Sequence, residues 1–313
     1  MDARARLREL SDLATPWAIW IAVTLALPDH IHDGATSLDE LAAAADADPD
    51  ALRRLLALLI ARGVFSEQDG VYANTEVSEL LVGGGWRSWF DLDGAPSIWA
   101  ESWARLLEAV RTGSPGRDED WYYAELARRG HSKHFDQLME VQVRANAEQL
   151  ADVWDWSGIA RVADIGGGTG TLVRALLAAH RHLIGTLYDQ PQVVAGIEPE
   201  ERLEVVAGNF VVDPLPAADV HVLSQILHGW PDDGAGRILA RCAEVADRVL
   251  IVESVMPDRP SADEASFDLF MLALGGGKQR SLADFERLGA ACGLRLVGET
   301  TLSTGNSLIE LAR

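Results

Sequence analysis

A chain of 313 residues is long for one ordinary core and comfortable for two domains, and with 48% hydrophobic and 24% charged residues it reads as globular and soluble. Its formal net charge of −21 opposes phosphate backbones and anionic membrane surfaces, so neither a nucleic acid nor a membrane is expected as a partner. The apolar run from Trp17 to Leu27 is too short to span a bilayer, the mixed charges of residues 1–12 make no signal peptide, and two lone cysteines, Cys242 and Cys292, suit a reducing cytoplasm.

Residues 10–80 read as helices followed by one hairpin. Ser37 caps a helix carrying Leu38, Leu41, Ala42 and Ala45. Asp48 and Pro49 start the next, ALRRLLALLIARG, with Leu52, Leu55, Leu56, Leu59 and Ile60 on one face and Gly63 closing it. VFSEQDGVYAN then gives two short strands around an Asp69-Gly70 turn. Helix, turn, helix, hairpin is a winged-helix arrangement, which raises the possibility of a gene regulator. Charge opposes it: residues 1–80 hold 6 basic against 14 acidic side chains, and the helix that would enter a groove begins with Asp48 and Asp50. A packing or dimerisation module is the expectation.

Residues 85–155 read as helical and rich in tryptophan. Trp86/Trp89 and Trp99/Trp103 recur at helical spacing, which points first to core or subunit-interface packing and second to an aromatic pocket wall. From Arg161 short apolar strands alternate with helices. Strands are expected near 161–165, 185–189, 203–206, 219–223, 248–253, 295–300 and 307–312, with helices near 170–180, 191–197, 234–246 and 282–292. This alternation implies an α/β class, mostly parallel, doubly wound sheet with ligands beyond the carboxyl ends of its strands.

VADIGGGTG, Val162 to Gly170, runs a buried strand into glycines and then a helix. Neither register yields the dinucleotide fingerprint G-x-G-x-x-G, because Thr171 or Val173 stands where the last glycine belongs. Gly166, Gly168 and Gly170 instead fit G-x-G-x-G, the form that lies against adenosine and a methionine tail. Asp189 ends the next strand, 19 residues beyond Gly170, where an acid accepts both ribose hydroxyls. In AGNF, Asn209 can reach an adenine edge or serve a turn, and Phe210 can cover the adenine face. After the fourth strand comes LSQILHGWPDD, where His228 is placed for proton transfer from a hydroxyl.

With LHGWPDD, VADIGGGTG, TLYDQP, VLIVESVMP and GGGKQRS in this order, residues 160–313 resemble the plant caffeic-acid and bacterial polyketide type of S-adenosyl-L-methionine (SAM)-dependent O-methyltransferase. DPDALRRLLALLIARGVF, RTG and FDQLM extend the likeness through the N-terminal half. The resemblance implies a winged-helix dimerisation domain at 1–85, a helical linker and pocket region at 86–155, and a Rossmann-like SAM domain at 156–313. It further implies a homodimer acting on a small, aromatic acceptor. In this pattern His228 is the general base and Glu253 orients its ring by accepting the other N–H. Asp164, Gly166 and Gly168 hold the cofactor with Asp189, Asn209, Phe210 and Ser224. Arg144 meets the methionine carboxylate, and Asp268 and Met271 line the acceptor pocket.

Three positions depart from the family pattern. Asn209 stands where many relatives have aspartate, Gly229 replaces the usual aspartate after the histidine, and Gln279 takes the place of a second glutamate beside it. Gln279 can hydrogen-bond but cannot stabilise an imidazolium by charge. Some family members keep the SAM site and perform hydroxylation, decarboxylation or ring formation, which stays as an alternative alongside a non-enzymatic regulator. His131/His134 and His180/His182 lack further ligands at convincing spacing, so no metal is expected.

Overall fold

A computed structural model describes residues 2–118 and 120–313. The chain divides into two units, one ending at Ser97 and one beginning at Ile98.

The first unit carries six helices and a hairpin: α1 (Ala3–Leu10), α2 (Ala14–Thr24), α3 (Leu27–His32), α4 (Leu38–Ala44), α5 (Pro49–Ala61), β1 (Phe65–Gln68), β2 (Val71–Asn74) and α6 (Glu76–Glu79). The expected start signals operate. Ser37 and Glu40 form a reciprocal capping box on α4, and Asp48 accepts the Ala51 N–H at 2.9 Å ahead of Pro49 on α5. Helix α5 buries Leu52, Leu56 and Leu59 against Leu27, Leu41 and Phe65, while Leu55 and Ile60 lie half-buried beside them. Asp69 and Gly70 both take positive φ (52° and 82°), as a two-residue hairpin with right-handed strand twist requires. The hairpin pairs Phe65 with Asn74 and Gln68 with Val71.

Helix α7 (Pro96–Ser102) runs through the boundary and is followed by α8 (Leu106–Thr112), α9 (Trp121–Arg129) and the long α10 (Ser132–Val153). The α/β part then follows: β3 (Arg161–Ile165), α11 (Thr171–Ala179), β4 (Ile184–Asp189), α12 (Pro191–Val194), β5 (Leu203–Ala207), β6 (Val220–Ser224), α13 (Asp232–Val245), β7 (Arg248–Glu253), α14 (Ala262–Gly275), α15 (Leu282–Ala291), β8 (Arg295–Thr301) and β9 (Ser307–Ala312). All seven expected strands form, within a residue or so of their anticipated ends. Helix α14 was not anticipated. Cys242 lies inside α13 as expected, whereas Cys292 caps α15 rather than lying within it.

The seven strands lie in the order β5-β4-β3-β6-β7-β9-β8, parallel from β5 to β7 and antiparallel at β9 and β8. Successive residues face opposite layers. Val162, Val222, Leu250 and Leu308 join a core with Leu150 of α10 and Leu176 of α11. Their neighbours Ala163, Leu223, Ile251 and Ile309 join another with Ile238 of α13 and Phe285 of α15. Both faces are covered, which explains strands such as RVLIVE with no polar alternation. Of the two edge strands, β5 and β8, the more exposed is β8, whose Arg295 and Glu299 and a register shift at Leu296/Gly298 discourage further pairing. The chain leaves β3 toward β4 and β5, then returns to place β6 on the other side of β3. That reversal opens a crevice at the carboxyl ends of β3 and β6.

Leu250 is fully buried in central strand β7. Leu250→Ala should lower the stability of the second unit by about 3 kcal/mol, measured by urea unfolding.

Candidate active site

The glycine turn after β3 forms one wall of the crevice. The Gly166 N–H donates to the Tyr188 carbonyl at 2.8 Å, and the Gly168 N–H donates to the Asp189 carboxylate at 2.8 Å. Gly166 has φ +74°, a backbone conformation that favours glycine, and a Cβ there would stand 2.6 Å from Ile226 Cδ1 in the loop after β6. The other Asp189 oxygen accepts the Gln190 N–H at 2.6 Å. Burial pushes the Asp189 carboxyl up, and these two N–H groups pull it back. One hydrogen bond on each oxygen leaves acceptor capacity facing the cavity.

That cavity is lined by Asp164, the glycines, Asp189, Phe210 and Ser224, with Phe135, Asp136 and Met139 of α10 opposite. Asp164 is 1% exposed, one of its carboxylate oxygens has no partner, and burial raises its pKa to about 7. The Ser224 hydroxyl is likewise buried and unpartnered. Asp136 is pushed up to about 6 by burial first and by the charge of Asp189 second. Carboxylates and a hydroxyl left waiting for donors fit a ligand that carries positive charge and hydroxyl groups, as SAM does.

Arg144 lies one turn further along α10, exposed to solvent and paired with Glu140 at 3.0 Å. It lines an adjoining depression with Thr169, Thr171 and Arg174. Asn209 takes the turn role: its amide oxygen accepts the Val211 N–H at 2.9 Å, and it is absent from the cavity wall that Phe210 joins. The amide oxygen of Asn209 thus serves the local turn, the alternative role its place in AGNF offered.

The second wall comes from the loop after β6. Gln225 adopts φ +58°, and a single 3-10 turn, Leu227–Gly229, carries His228. Glu253, at the end of β7 and 1% exposed, accepts the backbone N–H groups of Leu227 at 2.5 Å and His228 at 3.2 Å. Its oxygen is 3.9 Å from His228 Nδ1. That separation is an ion-pair distance and exceeds a hydrogen bond, so the expected N–H acceptance is replaced by a carboxylate that holds the backbone under the ring. Burial lowers the His228 pKa below 6.5, against the pull of Glu253 and with the help of Arg280.

Helix α14 brings aromatic rings to the histidine. Phe267 meets the imidazole at 5.8 Å, Phe270 lies 6.2 Å beyond, and Trp99 and Trp103 pack on Phe270 at 6.0 and 5.9 Å. Trp99 is buried in this packing and hydrogen-bonded to the Tyr122 hydroxyl at 2.8 Å, whereas Trp103 stays exposed. Asp268 accepts the Gln279 N–H at 2.7 Å and Met271 is buried on the same helix. The Gln279 side chain is buried, and its amide nitrogen has no partner. Phe267, Asp136 and Arg280 were not singled out from the sequence. The Phe267/Phe270 spacing of three and the FDQLM segment are the signals that could have found the first two.

Among the described residues no group of three His, Cys, Asp or Glu side chains converges to hold a metal ion. His180 and His182 each engage a backbone carbonyl, of Ala151 and Trp156, at 2.9 and 3.0 Å. No described helix is long and apolar enough to cross a membrane.

Residues 103–295 match the O-methyltransferase domain family, and residues 8–84 match the O-methyltransferase dimerisation domain. A 2,7-dihydroxy-5-methyl-1-naphthoate 7-O-methyltransferase of Streptomyces carzinostaticus is 39% identical over 93% of each chain. Aclacinomycin 10-hydroxylase of Streptomyces purpurascens is 34% identical, covering 99% of this chain and 90% of the relative. Among solved structures, an O-methyltransferase from neocarzinostatin biosynthesis, in complex with SAM and 2-hydroxy-5-methyl naphthoic acid, superposes with a TM-score of 0.88 at 36% identity over 98% of each chain.

Asp189→Ala should weaken SAM binding by about tenfold or more in calorimetric titration, since the residue orders the glycine turn and supplies the free acceptors. Burial raises the carboxyls of Asp164 to about 7 and of Asp136 to about 6, and a cationic ligand favours their charged forms. SAM affinity should therefore rise between pH 5.5 and 7.5 with proton release, read as a buffer-dependent enthalpy; a flat profile rejects the pairing.

Proposed function

Because this chain belongs to the O-methyltransferase family, we propose that it transfers the methyl group of SAM to a hydroxyl of a flat aromatic metabolite, with His228 as general base. The observation that carries the reading is the nearly buried His228 imidazole. It is held neutral by its surroundings, backed by Glu253 and faced by Phe267 at the end of an aromatic wall. Phe267 and Trp103 remain about two-fifths exposed, a surface suited to stacking on a planar ring. The naphthoate acceptors named for the relatives agree with this shape, and a hydroxynaphthoic acid is the acceptor class we assign.

Bound SAM supplies a methyl group on a sulfonium, whose sulfur is already an activated leaving group. The protein's contribution is placement and proton transfer. The glycine turn, Asp164, Asp189 and Ser224 hold the donor. Phe267 and Phe270 hold the acceptor plane. His228 Nδ1 faces Glu253, which leaves Nε2 to take the hydroxyl proton as the oxygen takes the methyl group; the electrons of the broken bond stay on sulfur. Glu253 stabilises the imidazolium that forms. Gln279 donates from its unpartnered amide toward an acceptor oxygen in place of a second carboxylate.

The hydroxylase relative gives the competing reading substance, since a similar chain carries a name for different chemistry. Incubation with SAM and a panel of hydroxynaphthoic acids distinguishes the two. Methyl transfer yields one S-adenosylhomocysteine per product heavier by one methylene, whereas product formed without S-adenosylhomocysteine rejects it.

Residues 8–84 form the proposed dimer contact. Leu7, Leu10 and Leu13 of the α1–α2 segment are each 67% exposed or more, and Trp17 follows them, an apolar strip that a second copy would cover. A cytoplasmic setting belongs to the same proposal and is supported by the free thiols of Cys242 and Cys292.

His228→Ala should retain SAM affinity and lose roughly 100-fold or more in turnover. Undiminished turnover would remove His228 from the mechanism. The imidazole works only when neutral and its pKa lies below 6.5, so the parent's kcat should be level at pH 7 and fall on the acid side of 6.5.

A further inference from the structure

Arg280 is 1% exposed, a setting that arginine tolerates only when well paired. Its contacts concentrate on the loop that carries His228. One terminal nitrogen donates to the Leu227 carbonyl at 2.6 Å and to the Lys278 carbonyl at 3.3 Å; the other donates to the Trp230 carbonyl at 2.8 Å. Its Nε donates to Asp232 at 3.1 Å. The two loop carbonyls bracket His228. A planar fork spans both at once, which a lysine ammonium cannot do with the same fixed geometry.

The neighbouring backbone presses on the same place. The Lys278 N–H donates to the His228 carbonyl at 2.9 Å, and a Cβ on Gly277 would stand 2.3 Å from that oxygen. Thus Glu253 holds the N–H side of the turn, and segment 277–280 holds its carbonyl side. We propose that Arg280 is a positioning residue for methyl transfer, fixing the imidazole in front of the acceptor by fastening the carbonyls on either side of His228. The proposal rests on His228 being the base.

The charged groups around this pair are Glu253 from β7, Asp232 from α13, Asp268 from α14, and Lys278, Asp284 and Arg287 from the segment leading into and along α15. Asp232 is also paired with Arg287 at 2.9 Å and Lys278 at 3.6 Å, so replacing Arg280 leaves that carboxylate neutralised. The positive charge of Arg280 lowers the His228 pKa, and its loss should let the imidazole titrate higher.

The test uses the full chain carrying Arg280→Gln or Arg280→Lys. Folding is checked by thermal melting, and S-adenosylhomocysteine affinity by calorimetry. The His228 midpoint is read by NMR of 15N-histidine protein in the S-adenosylhomocysteine complex, and turnover is read on 1,4-dihydroxy-2-naphthoic acid and its hydroxynaphthoic relatives. Arg280→Gln should keep S-adenosylhomocysteine affinity within about twofold, raise the midpoint, and lose about 10- to 100-fold in turnover. Arg280→Lys should keep the parent's midpoint and still lose turnover several-fold, because one carbonyl goes unheld.

A folded Gln variant with the parent's midpoint and turnover overturns the proposal. So does S-adenosylhomocysteine affinity that falls in step with turnover, or failure of both variants to fold, either of which makes Arg280 a residue of the fold alone. His228→Ala run in parallel separates the two levels. Should that variant keep its turnover, the base assignment fails. Should it lose turnover while Arg280→Gln does not, only the positioning role fails.

Discussion

The Glu253 carboxylate, accepting the N–H groups of Leu227 and His228, is the interaction on which the proposed chemistry turns. A carboxylate so deeply buried is costly unless it is met by donors, and two backbone N–H groups meet one of its oxygens while the imidazole lies 3.9 Å away. Its location is settled by sheet register. Strand β7 sits between β6 and β9, with Val252 opposite Ser224 and Glu253 opposite Ser307. Register fixes the carboxylate, the carboxylate fixes a turn too short to be stable by itself, and the turn carries the imidazole. The proposed base is therefore anchored to an interior strand of the sheet, although it lies on a loop.

The donor half of the site obeys the same logic at the neighbouring strand ends. Asp189 at the end of β4 holds the glycine turn that leaves β3, so two adjacent strands define one cradle. The close approach of Gly166 to Ile226 then joins that cradle to the loop of the base. A larger residue at Gly166 would have to adopt the strained positive φ and displace the Ile226 side chain, between the proposed donor cradle and the proposed base.

Much of this was legible in residue order. Alternating strands and helices, the capping residues of α4 and α5, and the Asp69-Gly70 turn all rest on local chemistry, and local chemistry is written in the sequence. Helix α14 was missed although Ser261 and Glu264 mark its start with a capping box. Its last ten residues, SFDLFMLALG, put apolar side chains on exposed as well as buried faces, Phe267 and Leu269 among the exposed ones, so it shows no helical stripe. Asn209 illustrates another limit, since a side chain able to serve either a turn or a ligand is decided by backbone geometry. Arg280 could not be identified beforehand. An arginine in KQRS reads as solvated surface, and only tertiary packing brings it into the interior.

Strand β9 has a bearing on how the molecule is made. Residues 307–312 lie between β7 and β8, so the flank of the strand bearing Glu253 is supplied by some of the last residues described. During synthesis β7 waits with an open edge until β9 emerges, and a nascent chain stalled before that point exposes unpaired backbone to other chains. Loss of this short segment, far from the cofactor in sequence, would remove the lateral support of the carboxylate on which the histidine turn depends.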